Sequence, residues 1–137
     1  MSTALSLRGI CGCFESASHE WLSAEGDSGW ATCPLTENAV LRIVGNASYP
    51  NSPGSPAAVL PSLASLRSLR QHHFWADDIS FVDAHVFDIT RLLTAGQVTD
   101  SYLLGLAKVH GARLATFDRR LVTDAALQGA KRIHFIP

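Results

Sequence analysis

The sequence predicts an α/β domain with a mainly parallel sheet flanked by helices. Short apolar runs bounded by Gly and Pro, such as "GWATCP" at 29–34, alternate with segments of helical period. A strand–helix–strand alternation of this kind builds parallel sheets, because each crossover helix carries the chain back to the same edge. At 137 residues, 47% hydrophobic and 17% charged, the chain has the size and composition of one globular domain.

The elements follow from local signals. Phe14, Ala17, Trp21 and Ala24 share one helical face, and Gly26 can end that helix. Residues 29–34 read as a buried strand. A helix over residues 35–44 turns Ala39, Val40, Ile43 and Val44 inward and stops at Gly45-Asn46. The Pro/Ser/Gly-rich stretch 47–56 is a loop, from which Ser55 caps a helix with Pro56 at its first position. That helix carries Leu60, Leu63, Leu66 and Leu69, with Arg67 and Arg70 outward. Pro61 argues for a later start or a distorted first turn. His72 and His73 are read as helical, pointing apart, and residues 79–81 as a short strand or extended segment. Residues 97–110 form a helix capped by Thr99 and closed by Gly111, followed by strands at 113–117 and 133–136.

Composition excludes several classes. The net charge of −1 gives no global basic field for nucleic acid, although all but two of the eleven cations are Arg, the exceptions being Lys108 and Lys131. Cys11, Cys13 and Cys33 are an odd set without regular spacing, which fits a reducing, cytoplasmic setting better than a disulfide framework. No apolar run reaches the roughly 20 residues of a membrane helix. No Gly-rich phosphate loop follows any strand, which disfavours a phosphate-binding or receiver-like domain.

The acids are better placed than the cations. Asp100 falls in the first turn of its helix, Asp118 ends the "RLATF" strand, and Glu37 lies in the first turn of the helix at 35–44. In a parallel sheet, helix N-termini and strand C-termini lie on one edge, where ligands bind. Each acid also has an ordinary role open to it, as a helix-start or turn residue. Together they point to a carboxylate cluster, whose repulsion a hard divalent cation offsets. Mg²⁺ or Mn²⁺ on oxygen ligands suits phosphodiester hydrolysis. Arg119 and Arg120, beside Asp118, are the candidates for RNA phosphate contact. Asp77, Asp78, Asp83 and Asp88 read as turn and surface acids.

The stretches "CPLTENAVLRIVGNASYPN", "FWADDIS" and "VTDSYLLGLAKVHGARLATFDRRL" resemble the PIN-domain ribonucleases, specifically the VapC-type toxins of type II toxin–antitoxin systems. The resemblance runs from about Trp30 to the C-terminus. It implies a PIN-like three-layer domain over residues 15–137 and a metal-dependent endoribonuclease using Mg²⁺ or Mn²⁺. Glu37, Asp100 and Asp118 match the family's second, third and fourth acids, as catalytic and metal-binding residues, and Thr116 a supporting hydroxyl. A homodimer, a VapB-type antitoxin and a tRNA or rRNA substrate are also implied.

One departure stands out. The family's usual N-terminal strand ends in an Asp, whereas residues 1–14, "MSTALSLRGICGCF", contain no carboxylate. "ALSLRGI" could supply a short strand but not the first acid. Poor activity is therefore expected, with a catalytically inactive PIN-like module that binds antitoxin or RNA as the alternative.

Overall fold

A computed structural model of the chain describes the backbone of Thr3–Leu5, Ala24, and residues 29–136. The expected helix around Phe14 and Trp21 lies outside these residues, apart from Ala24, which is helical. Five strands form one sheet: β1 (Thr3–Leu5), β2 (Trp30–Thr32), β3 (His72–Phe74), β4 (Arg113–Thr116) and β5 (Ile133–Phe135). Beyond Ala24, the described residues form three α-helices: α1 (Pro34–Val44), α2 (Pro56–Arg67) and α3 (Val98–Val109).

The sheet order is β3-β2-β1-β4-β5, and all four pairings are parallel. The short strand available in the opening is thus the central one, with Ala4 level with both Ala31 and Leu114. From β1 the chain works outward to β3, then returns to β4 on β1's other side.

Alternation along β2 and β4 gives the sheet a core on each face. Trp30 and Ala115 face Val40, Val44 and Val59 of α1 and α2, whereas Ala31 and Leu114 face the buried stripe of α3. Strands buried on both faces need apolar residues at every position, hence "WA" and "LA".

Three local expectations change. The third strand is His72–Phe74, so His72 and His73 are strand residues rather than helical ones. Residues 79–81 are not a strand: Phe81 packs its ring on Phe87 and Tyr102, burying apolar surface without sheet hydrogen bonds. Pro61 sits inside α2, on an exposed position where water can take the place of its missing N–H. Ser55 does cap that helix, accepting the Ala58 N–H at 3.2 Å, while Leu63 is buried and Leu60 and Leu69 are exposed.

The closure of α3 is a complete Schellman motif. Gly111 takes φ +64°, Ala112 N–H reaches Ala107 O at 2.8 Å, and Gly111 N–H reaches Lys108 O at 3.0 Å. In the middle of α3, Gly105 lets Phe87 lie against the helix backbone. A Cβ there would stand 2.3 Å from Phe87 Cζ. Gly105→Ala is therefore expected to lower stability by about 1–3 kcal/mol through overpacking, despite Ala's better helix propensity. Urea denaturation checks this; an unchanged midpoint would mean the Phe87 ring moves aside without cost.

Candidate functional site

The boundary between β1 and β4 is where the chain's outward progress reverses, and open α/β sheets bind ligands at the C-terminal end of such a crevice. Two acids meet there. Asp118 comes two residues after β4, and Asp100 lies in the first turn of α3, the helix leading into β4. Both line a cleft of about 290 Å³ together with Gly96, Gln97, Arg120, Leu121 and Val122.

Each acid is held by local chemistry. Asp100 is buried at a helix N-terminus, whose positive end favours a carboxylate. Thr99 is not the cap: a 3-10 turn at Ala95–Gln97 leads into α3, and Thr94 and Gln97 form a capping box for that turn. Asp118 closes a tight turn after β4. Its N–H donates to Thr116 Oγ1 at 3.0 Å, and its Oδ1 accepts the Arg120 N–H at 2.9 Å. Thr116 is fully buried, so its hydroxyl is a fixed acceptor.

Glu37 stands elsewhere on the same edge. It projects from the first turn of α1, beyond β2, and does not line the Asp100/Asp118 cleft. Its Oε1 accepts the Thr32 hydroxyl at 2.7 Å and pairs with Arg67 Nε at 3.4 Å. A threonine hydroxyl has one proton, and that of Thr32 goes to Glu37. His72 Nε2, 2.9 Å from Thr32 Oγ1, must therefore be the donor. Among the described residues, no three His, Cys, Asp or Glu side chains are grouped to hold one ion.

Asp77, Asp83 and Asp88 hold local backbone in place. Asp77 Oδ2 accepts the Leu35 N–H at 2.9 Å, capping α1 from 42 residues away. Asp88 caps the short turn Ile89–Arg91, and Asp83 accepts the His85 N–H. Trp30 and Trp75 are core residues, Trp75 stacking on His110. Cys33, the N-cap of α1, is buried, and burial pushes its thiol up to about 11, far from a reactive thiolate. Of the two candidate arginines, Arg120 lines the cleft and Arg119 lies over the Phe135 ring. Sequence reasoning missed Thr32 and Arg67 as partners of Glu37, and His72 as the partner of Thr32. Only Thr32, at the end of a strand, carried any signal there.

The donor set fits a hard, hydrated cation. Two carboxylates sharing a cleft repel, and Mg²⁺ or Mn²⁺ takes one or two carboxylates while keeping its waters. Fold and cleft thus define a parallel α/β protein with an acidic crevice at its topological switch point.

No protein-family model matches the chain. Three curated proteins of Mycobacterium tuberculosis are similar along most of its length. Ribonuclease VapC44 is 39% identical over 114 residues, covering 83% of this chain and 79% of the relative. Ribonuclease VapC38 is 41% identical over 106 residues, 77% and 73% of the two chains, and Ribonuclease VapC39 is 35% identical over 110, 80% and 79%. The chain belongs to the VapC ribonuclease family of PIN-domain toxins.

The network around Glu37 has a pH signature. Burial, with Arg67 adding to it and Glu37 opposing, holds the His72 imidazole below its ordinary 6.5. The unfolded chain therefore takes up the His72 proton more readily than the folded one. The contribution of neutral His72 is complete above about pH 6.5 and is lost as pH falls below it. Between pH 7.5 and 5, urea midpoints are expected to fall more steeply for the wild type than for His72→Gln, which keeps a donor to Thr32. Parallel profiles would contradict the assignment.

Proposed function

We propose that this chain is a metal-dependent endoribonuclease toxin of the VapC type, a three-layer PIN domain that hydrolyses RNA phosphodiester bonds. The observation that carries this reading is the cleft shared by Asp100, Asp118 and Arg120 in a chain 35–41% identical to ribonucleases VapC. The domain takes in residues 15–137, with Thr3–Leu5 of the atypical opening threaded through its sheet.

Asp100 and Asp118 would hold Mg²⁺ or Mn²⁺ directly, and Glu37 would act from the β2 side. A divalent ion there supplies charge to a phosphate oxygen and lowers the pKa of a coordinated water. Thr116 fixes the turn that presents Asp118. Arg120, in the same cleft, is placed to meet phosphate, and Arg119 extends the contact along the strand. The RNA is of the tRNA or rRNA class, the assembly a homodimer, and a VapB-type antitoxin the inhibitor.

A second reading rests on a specific observation. Residues 1–14 contain no carboxylate, and the acids described do not form a group of three. A PIN-like module that binds antitoxin or RNA without cutting would have this composition. The two readings part in a cleavage assay with Mn²⁺ and a labelled tRNA pool. It compares this chain, a version whose opening is rebuilt to a strand ending in Asp, and Asp100→Asn in each. Displacing a catalytic group by about 1 Å costs on the order of a hundredfold in rate, so the rebuilt protein is expected to cut at least that much faster. Equal, Asp100-dependent cleavage by both would show that the first acid is dispensable. No cleavage by either would leave the binding module.

A further inference from the structure

Both edge strands end in an exposed phenylalanine lying beneath an arginine. Phe74 closes β3, is 46% exposed, and has the Arg67 guanidinium carbon 4.4 Å from its ring centroid. Phe135 closes β5, is 41% exposed, and has that of Arg119 at 5.5 Å. Pairs of this kind occur about once per 70–80 residues, so their number is ordinary. Their placement is not. Each occupies the last residue of an outermost strand, on the edge of the sheet that carries the acids.

Each pair is also joined to an acid. Arg67 forms the ion pair with Glu37, and Arg119 follows Asp118 in the chain. The two rings close strands that are four spacings apart, roughly 19 Å at ~4.8 Å per strand, with the Asp100/Asp118 cleft between them. They lie on opposite faces. Phe74 faces the α2 side, where Arg67 sits, and Phe135 shares the α3 side with Ile133. A strand touching both would cross the sheet edge obliquely, over the cleft.

We propose that Phe74–Arg67 and Phe135–Arg119 are two base-stacking platforms for single-stranded RNA, one on each side of the acidic cleft. Every base has a π face that stacks on a phenyl ring or on a guanidinium plane, and the arginine charge meets the adjoining phosphate. Arg67 is half exposed and Arg119 exposed, so each offers an accessible plane. A stacking platform cannot grip a base already stacked in a duplex. The platforms therefore select unpaired RNA while leaving sequence choice open. A ring under a guanidinium offers a base both a stacking face and a charge for its phosphate, a pairing that an apolar protein segment would leave unused. The choice of RNA rests on the ribonuclease reading.

The test is fluorescence anisotropy with a short labelled single-stranded RNA of mixed sequence, in EDTA so that no cleavage intervenes. Phe74→Ala and Phe135→Ala are each expected to weaken binding about fivefold or more, and the double variant further. Val82→Ala, at an exposed loop position, should leave it unchanged. Thermal melts check that each variant folds, since both rings are also partly packed against the protein. Wild-type affinity in both Phe variants overturns the proposal, as does tighter binding of the matching duplex or no binding by the wild type. Loss of antitoxin binding with RNA affinity intact also overturns it, in favour of a protein-docking surface. A parallel cleavage assay with Mn²⁺ separates the two readings. Phe-dependent binding without cleavage upholds the platforms and removes the ribonuclease, and cleavage with Phe-independent binding does the reverse.

Discussion

Two carboxylates that share a cleft repel each other, and the surroundings of Asp100 and Asp118 are arranged to keep them together all the same. The N-terminus of α3 faces one, and a turn locked by the buried Thr116 hydroxyl presents the other. The Gly111 motif joins α3 to β4 in a single residue of left-handed backbone, so that helix start and strand end come back to one edge. Among the described residues, Arg120 is the cation that lines this cleft with the two acids. Two carboxylates in one cleft are ligands of the kind a divalent cation takes, and such a cation in turn meets a phosphate oxygen.

Glu37 is held by partners of its own. Its charge is already offset by Arg67 and by the Thr32 hydroxyl, inside a network that reaches His72 on the edge strand. β1 separates the strand that leads to Glu37 from the strand that leads to Asp118. A carboxylate following β1 would stand between the two halves of the acidic edge, and residues 1–14 provide none. The same missing charge thus bears on both the ion site and the pairing of Glu37 with Arg67.

Much of the fold was legible because its signals are local. The Gly111 stop, the Ser55 cap followed by Pro56, and the mostly apolar "RLAT" each dictate structure within a few residues. The third strand was not, because "HHF" has no apolar alternation. It is a strand through its pairing with β2 and the contact of His72 with Trp30. "ISF" misled for the opposite reason: its apolar residues are buried by ring packing rather than in the sheet. At the site, the positions of Asp100 and Asp118 followed from parallel topology alone. The network around Glu37 joins residues up to 40 apart in the chain, and no spacing rule connects Thr32 to His72.

On the proposed reading, Asp100 and Asp118 are the pair that defines the ion site, with Glu37 secondary to them. Calorimetric titration of Mn²⁺ into the RNA-free protein measures this directly. One site per chain is expected, abolished by Asp100→Asn or Asp118→Asn and weakened far less by Glu37→Gln. Binding that survives both Asp substitutions, or that Glu37→Gln abolishes as completely, would contradict it.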